Sequence, residues 1–279
     1  MKRLFALLLV LMLFASAAYA SGAEEIRKEL ESRDNICHYV TVPYVGEVML
    51  YAQKNLMWYK LVYEYRNSPT YRIFGDGGCG PTSASIVIAA LAGDNITGIL
   101  DHAGEGGFTL CTHSVNPWNC RSCKHRMPLE TEEDVRTYLP LILGSYACGN
   151  NDKGSRYRIA KANGGGTNMK MLLEICPYFG LSCTMIDAPT DDDWANRIGD
   201  GTMAVVLSNT SSSPFTGGAH YVACVAADEE YIYFMDPMAK TEYKSACLDI
   251  MEMGLSRMRR TEANFKKLHA AAVYLVTRE

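Results

Sequence analysis

Cysteine, histidine and aspartate side chains at three distant positions have the chemical types that nucleophilic catalysis needs. Cys79 lies in residues 75–83 (GDGGCGPTS), directly before the apolar run 86–91. A glycine-rich turn that leads into a buried helix places this cysteine at the helix N-terminus. Backbone N–H groups there stabilise a thiolate and can donate to an oxyanion formed beside it. Cys79 is therefore the predicted nucleophile.

His220 and Asp236 supply the base and the acid that a cysteine nucleophile requires. His220 follows a Thr-Gly-Gly-Ala turn and begins an apolar strand, and Asp236 ends the next strand, residues 231–235. If the two strands are antiparallel neighbours, the Asp236 carboxylate accepts the imidazole N–H and fixes the ring's tautomer. His220 is then the general base. We expect Cys79, His220 and Asp236 to form a triad.

Each of the three residues also has a structural interpretation. Gly-Cys-Gly-Pro can be a tight turn with a buried thiol, His220 a hydrogen-bonded strand residue, and Asp-Pro at 236–237 a simple turn. Their order and spacing favour chemistry, because His220 lies 141 positions after Cys79, within the range of about 130–150 found in papain-type enzymes. Cysteine, histidine and acid in this order suggest a papain-like thiol enzyme.

Residues 1–20 have the pattern of a secretory signal peptide. Lys2 and Arg3 precede an apolar stretch of 11 residues, and residues 18–20 (AYA) form a small-x-small cleavage site. A membrane span needs about 20 apolar residues, so a transmembrane anchor is the weaker interpretation. We expect a secreted or cell-envelope protein that begins near Ser21.

Charge and length exclude several classes of partner. The chain has 279 residues and a formal net charge of −4, which becomes −6 once residues 1–20 are removed. It has neither a long Lys/Arg run nor a second apolar segment of membrane length, so we expect no nucleic-acid partner and no membrane span. The remaining residues suffice for one large domain or two small ones, with a substantial core.

The order of the predicted elements indicates an α+β fold, because helices come first and antiparallel strands later. Residues 21–38 form a charged lead-in, and residues 39–279 form the main domain. A capping-box pattern begins at Thr131, and Gly180 is in a helix C-cap position. We expect helices at 81–92, 131–143 and 169–179, and strands at 39–44, 202–207, 220–226, 231–235 and 270–276.

Short motifs across residues 39–240 resemble the bacteriocin-processing (double-glycine leader) peptidases, and most closely the free-standing secreted or periplasmic domains of that family. The matching segments are 51–58, 78–83, 166–167, 180–181, 220–222 and 236–237. The resemblance implies a papain-like fold, in which a helical half carries the cysteine and an antiparallel sheet half carries the histidine and the aspartate. It also implies Cys79, His220 and Asp236 as a triad that cleaves peptide or related amide bonds.

The same resemblance implies an oxyanion-hole glutamine upstream of the cysteine. Gln53 is the best match, because its side-chain amide can donate to the oxygen of a tetrahedral intermediate. It departs from the family pattern by lying 26 residues before Cys79, with the aromatic residues 58–74 between them.

The expected reaction is acyl transfer from a peptide or protein substrate through a thioester on Cys79, and such a triad requires no cofactor. Two alternatives remain. A cysteine amidase or acyltransferase uses the same fold and groups, and a catalytically silent module would bind a peptide without cutting it.

A second cluster of soft ligands falls in a Cys/His-rich insertion expected around residues 104–128. Its members are Cys111, His113, Cys120, Cys123 and His125. Cys-x-x-Cys spacing suits structural zinc, whereas export makes disulfides available to the same cysteines. One or two disulfides, a structural zinc and free thiols are the three alternatives.

Overall fold

The computed structural model describes residues 22–63, 73–102, 108–115, 120, 126–148, 157–159, 166–190, 192–208, 213–243, 245–261 and 268–279. The expected signal peptide lies outside these ranges. Within them the chain combines helices in its first half with a large antiparallel sheet in its second half, so the α+β prediction is confirmed.

The helices of the described ranges are short, apart from two that belong to the core. The α-helices are α1 (22–31), α2 (Phe74–Gly77), α3 (Cys79–Leu91), α4 (Glu132–Ala147) and α5 (Leu172–Ile175). The 3-10 helices are Gly93–His102, Met169–Met171, Cys176–Phe179 and Asp193–Arg197.

The strands form one large sheet and three small pairs. In chain order they are β1 (His38–Val42), β2 (Gly46–Leu50), β3 (Thr109–Leu110), β4 (Met127–Pro128), β5 (Arg158–Ile159), β6 (Gly166–Thr167), β7 (Leu181–Asp187), β8 (Thr202–Ser208), β9 (His220–Ala227), β10 (Tyr231–Met235), β11 (Asp249–Glu252), β12 (Leu255–Arg259) and β13 (Ala270–Arg278). The large sheet has the order β11-β12-β10-β9-β8-β13-β7, and its neighbours are antiparallel. The pairs are β1-β2, β3-β4 and β5-β6.

The central strands of the large sheet are buried on both faces. In β9, Tyr221 and Ala223 belong to the core cluster shared with the helices, whereas Val222 and Cys224 belong to a second cluster on the opposite face. Because successive side chains of a strand point to opposite faces, covering both faces requires an apolar run rather than an alternating one. This explains why the sequence of β9 is apolar nearly throughout.

Helix α3 packs against β8 and β9, and also against α4 and β2. Partners on several sides bury residues all around the helix, so Ile86, Val87 and Ile88 are each fully buried. The helix begins immediately after Gly78, which serves as its N-cap residue. The chain thus places Cys79 on the helix that lies against the strand of His220.

The predicted capping box is present at the start of α4. The Thr131 side chain accepts the Asp134 N–H, and the Asp134 carboxylate accepts the Thr131 N–H. Asp134 also forms an ion pair with Arg27 of α1, in which Arg27 Nη2 lies 2.7 Å from Asp134 Oδ1. Since Ile26 and Leu30 of α1 are buried in the core, this part of the charged lead-in is packed onto the domain.

Two predicted elements have a different form. Residues 169–179 are divided into α5 and two flanking 3-10 turns. Pro177 lacks an N–H, so regular α-helical bonding does not continue from α5 into the second of these turns. The segment ends as predicted at Gly180, which has φ of 64°. The strand predicted at 39–44 is β1, which pairs only with β2, outside the large sheet.

In the described part of the chain, none of the helices is both long enough and apolar enough to cross a bilayer.

Candidate active site

Cys79 is the first residue of α3, and its thiol is half-buried. Burial alone would raise the pKa of this thiol. A hydrogen bond with the His220 ring and the charge of that ring lower it, as do the N–H groups of Tyr221 and Gly80, and together they bring the pKa below its ordinary value. The thiolate form is therefore stabilised where a nucleophile needs it.

His220 is the first residue of β9 and is buried. Its Nε2 lies 2.7 Å from Oδ1 of Asp236, which leaves Nδ1 for the thiol of Cys79. Burial would lower the pKa of the imidazole. The carboxylate of Asp236 and the hydrogen bond with Cys79 outweigh burial and raise the pKa to about 10. A protonated imidazole next to a thiolate is the favoured state of the pair.

Asp236 follows β10 directly and is fully buried. β9 and β10 are antiparallel neighbours, as the sequence predicted, with Met235 opposite Ala223. The carboxylate accepts the Met238 N–H at 2.8 Å on Oδ1 and the Tyr243 hydroxyl at 2.8 Å on Oδ2. Burial would raise its pKa, but His220⁺ and these donors hold the pKa below its usual range. The acid is thus kept ionised without contact with water.

Backbone and glycine packing fix the start of α3. A Cβ added at Gly80 would lie 2.8 Å from the Met169 sulfur and 3.3 Å from the Thr167 Cβ. The Tyr63 hydroxyl is hydrogen-bonded to the Thr167 hydroxyl. The glycine after the cysteine is therefore required for close packing, which holds the nucleophile's helix end against residues 167–169.

Gln53 connects the turn before Cys79 to the loop after Asp236. Its backbone N–H donates to the Pro237 carbonyl at 2.6 Å, and its side-chain Nε2 donates to the Gly75 carbonyl at 2.9 Å. The side chain is buried, and its Oε1 has no hydrogen-bond partner among the described residues. One amide hydrogen is engaged with Gly75, which leaves the second available as a donor.

The glycine-rich turn before Cys79 also packs against an aromatic ring. A Cβ added at Gly75 would lie 1.9 Å from Cδ2 of Tyr59. The Gly75 N–H donates to the Tyr59 carbonyl at 3.0 Å. Part of the aromatic segment thus shapes the turn that carries the nucleophile.

The structure therefore places the Cys79 thiol close enough to His220 for the ring to lower its pKa, and it joins His220 to Asp236 by a hydrogen bond. Gln53 is bonded to the two segments that adjoin Cys79 and Asp236 in the chain. One positioning residue, Tyr243, had no motif of its own in the sequence, because it lies in a polar stretch after the aspartate. Only the rule that buried carboxylates need donors could have indicated a partner for Asp236, and that rule does not say which residue it is.

Cys111 and His113, two described members of the second Cys/His cluster, lie in different environments. Cys111 is buried, and its sulfur exchanges 3.4 Å hydrogen bonds with the backbone of Ser114, whereas His113 is exposed. Among the described residues, no group of three or more Cys, His, Asp or Glu side chains is arranged to hold a metal ion. Cys123 and His125 lie outside the described ranges. Zinc and disulfides both remain predictions for this segment.

Neither a protein-family model nor a curated protein matches this chain. The described geometry supplies a thiol of lowered pKa, an imidazole held by a buried carboxylate, and N–H donors at a helix N-terminus. Such a set can attack a carbonyl carbon, transfer a proton to a leaving group and stabilise an oxyanion.

Proposed function

We propose that this protein is an exported cysteine hydrolase that cleaves peptide or related amide bonds on a papain-like fold, similar to the double-glycine leader peptidases. One observation carries the proposal: His220 interacts with the Cys79 thiol on one side and is hydrogen-bonded to the buried Asp236 carboxylate on the other. The opposite pKa shifts of the thiol and the imidazole favour the ion pair that a thiol enzyme uses.

In the proposed mechanism, the Cys79 thiolate attacks the carbonyl carbon of the scissile bond. The resulting oxyanion accepts hydrogen bonds from the Cys79 backbone N–H and the free amide hydrogen of Gln53. His220⁺ gives its proton to the leaving amine, and the acyl group remains on sulfur as a thioester. Neutral His220 then takes a proton from water, whose attack on the thioester releases the acid and restores the thiolate beside His220⁺.

Asp236 keeps the imidazole ring oriented throughout this cycle. Its two oxygens accept three hydrogen bonds, from His220, Met238 and Tyr243. A buried carboxylate that accepts three hydrogen bonds cannot rotate freely. The imidazole that it holds therefore keeps Nδ1 directed at the sulfur. Proton transfer then needs no rearrangement of the acid.

Hydrolysis of a mixed peptide library tests the proposal. The mature protein should cut a subset of peptides, and mass spectrometry of the products identifies the bonds. Cys79→Ala should produce no cleavage, whereas Cys224→Ala, which removes a buried thiol on the opposite face of the sheet, should keep it. Full activity of Cys79→Ala would refute the assignment.

The same library separates hydrolase from acyltransferase. With a small primary amine added as acceptor, a hydrolase gives mainly free acids, and an acyltransferase gives mainly amides. A protein that binds peptides but yields neither product with its thiol intact would be the silent binding module.

The pattern of residues 1–20 supports export as part of the proposal. N-terminal sequencing of protein recovered from the medium or the cell envelope should begin near Ser21. Recovery of the full-length chain inside the cell alone would contradict export.

A further inference from the structure

A cavity of about 940 Å³ opens beside the acid end of the site. Its lining comes from parts of the chain near site residues: Lys54 follows Gln53, residues 213–217 come shortly before His220, and residues 238–243 and Ser245 come shortly after Asp236. Tyr243 both lines the cavity and donates to the Asp236 carboxylate. Tyr243 therefore lies between the cavity and the buried Asp236 carboxylate, and neither Cys79, His220 nor Asp236 is among the lining residues.

Lys240 places a fixed positive charge in this cavity. Its ammonium donates to the Phe215 carbonyl at 2.5 Å and lies 5.3 Å from the centroid of the Tyr243 ring. An ammonium has three N–H donors, so this bond leaves two of them for a ligand. The position of the charge is set by the protein, which lowers the entropy cost of using it in binding.

Lys54 adds a second positive charge next to Gln53. Its side chain is exposed, and no ion pair joins it to an acidic side chain in the part of the chain that the structure describes. Glu242 is the one acidic side chain among the lining residues. The cavity therefore carries more positive than negative charge, although the whole chain has a formal net charge of −4.

We propose that this cavity binds an acidic side chain of the peptide substrate through Lys54 and Lys240. This inference rests on the proposed function, because only a peptidase would have this ligand as its substrate. A carboxylate can accept from both ammonium groups, whereas a basic side chain would meet two like charges, so the cavity selects by attraction and by repulsion. Thr241 adds a hydroxyl to this lining, whereas the Thr216 hydroxyl is already bonded to the Gly218 carbonyl.

Binding to an uncleaving variant tests the inference without requiring turnover. In a Cys79→Ala background, fluorescent peptides that contain Glu are compared with the same peptides carrying Gln, by anisotropy at low salt. We expect the Glu peptides to bind about fivefold more tightly, the upper range for one partly exposed ion pair. The preference should shrink as ionic strength rises.

Charge reversal at Lys54 provides the matched comparison. Lys54→Glu should remove or invert the Glu preference, while Lys28→Glu, the same change on the exposed face of α1, should leave it intact. If the Cys79→Ala variant with Lys54 unchanged bound the Glu and Gln peptides equally, the inference would be overturned. A preference that survives Lys54→Glu unchanged would overturn it as well.

Cleavage by the protein with Cys79 intact separates this inference from the proposed function. Cleavage without any preference for acidic peptides, together with equal binding, would refute the inference and leave the hydrolase standing. An acid preference in binding with no cleavage of any peptide would refute the hydrolase and support the cavity as an acidic-peptide site.

Discussion

The hydroxyl of Ser83 donates a 3.0 Å hydrogen bond to the carbonyl of Tyr221. Ser83 is one turn after Cys79 in α3, and Tyr221 follows His220 in β9. The bond therefore joins the helix that begins at the nucleophile to the strand that begins at the base. Because the Tyr221 N–H also interacts with the Cys79 sulfur, the backbone of one residue is in contact with both positions on the helix.

Ser83→Ala should lower both stability and activity, because the helix loses its hydrogen bond to β9 beside the site. We expect a loss of about 1 kcal/mol in the free energy of unfolding and a several-fold fall in kcat. Ser85→Ala is the matched control, since the Ser85 hydroxyl bonds only within the helix, to the Pro81 carbonyl at 2.8 Å. Urea unfolding and steady-state kinetics measure the two effects. Equal kcat values for both variants would argue against a positioning role for Ser83.

Tyr243→Phe should weaken catalysis while keeping the ring's packing against Phe215. Without the hydroxyl, the pKa of Asp236 rises, its hold on the imidazole weakens and the pKa of His220 falls from about 10. The alkaline limb of the pH–rate profile should therefore move to lower pH, and kcat/KM should fall about tenfold, as for loss of one hydrogen bond to a charged group.

Tyr233→Phe is the control for that substitution. The Tyr233 hydroxyl also donates to a carboxylate, Oδ2 of Asp228, at 2.8 Å, but it does so away from the site. Its pH–rate profile should match that of the unchanged protein. A shift of the same size in both variants would remove Tyr243 from the catalytic account.

Gln53→Ala should reduce kcat by about 10²–10³, the cost of losing one oxyanion donor, with little change in KM. The backbone bond from residue 53 to Pro237 survives the substitution, so the loop stays in place. Steady-state kinetics separate kcat from KM, and the thermal midpoint reports folding. A raised KM with unchanged kcat would instead assign Gln53 to ground-state binding.

Gly75→Ala should destabilise the protein by about 2 kcal/mol, because overpacking against a ring forces the turn to shift. The added Cβ would lie 1.9 Å from the Tyr59 ring. Gly166→Ala is the control, because the added Cβ would meet no other described part of the chain within 4 Å, apart from its immediate neighbours in sequence. Tyr59→Ala combined with Gly75→Ala should recover part of the lost stability. No recovery would point to another cause.

Local signals in the sequence predicted the helices and strands that carry the triad. The helix predicted at 81–92 is Cys79–Leu91, and the strands predicted at 220–226 and 231–235 are His220–Ala227 and Tyr231–Met235. Those elements were predicted from apolar runs bounded by glycine or by a charged turn. Such patterns depend only on residues that are neighbours in the sequence.

Contacts between distant segments could not be predicted in the same way. The bond from Tyr243 to Asp236 depends on how the chain returns after β10, and the contact of Gly75 with Tyr59 depends on packing between loops. Strands β7, β11 and β12 were also missed, and β7 and β11 are the two edges of the large sheet. In β11, residues such as Asp249 and Glu252 are exposed, so apolar periodicity is weak there.

Site-resolved alkylation of Cys79 tests the central claim, that His220 activates this thiol. Iodoacetamide labelling is followed by mass spectrometry of the Cys79 peptide from pH 5 to pH 10, with the buried Cys224 as an internal reference. The account predicts a labelling midpoint below the ordinary thiol pKa, and a midpoint above it in His220→Ala, because burial then acts on the thiol without the imidazole's compensation. A midpoint unchanged by His220→Ala would contradict the thiol–imidazole pair.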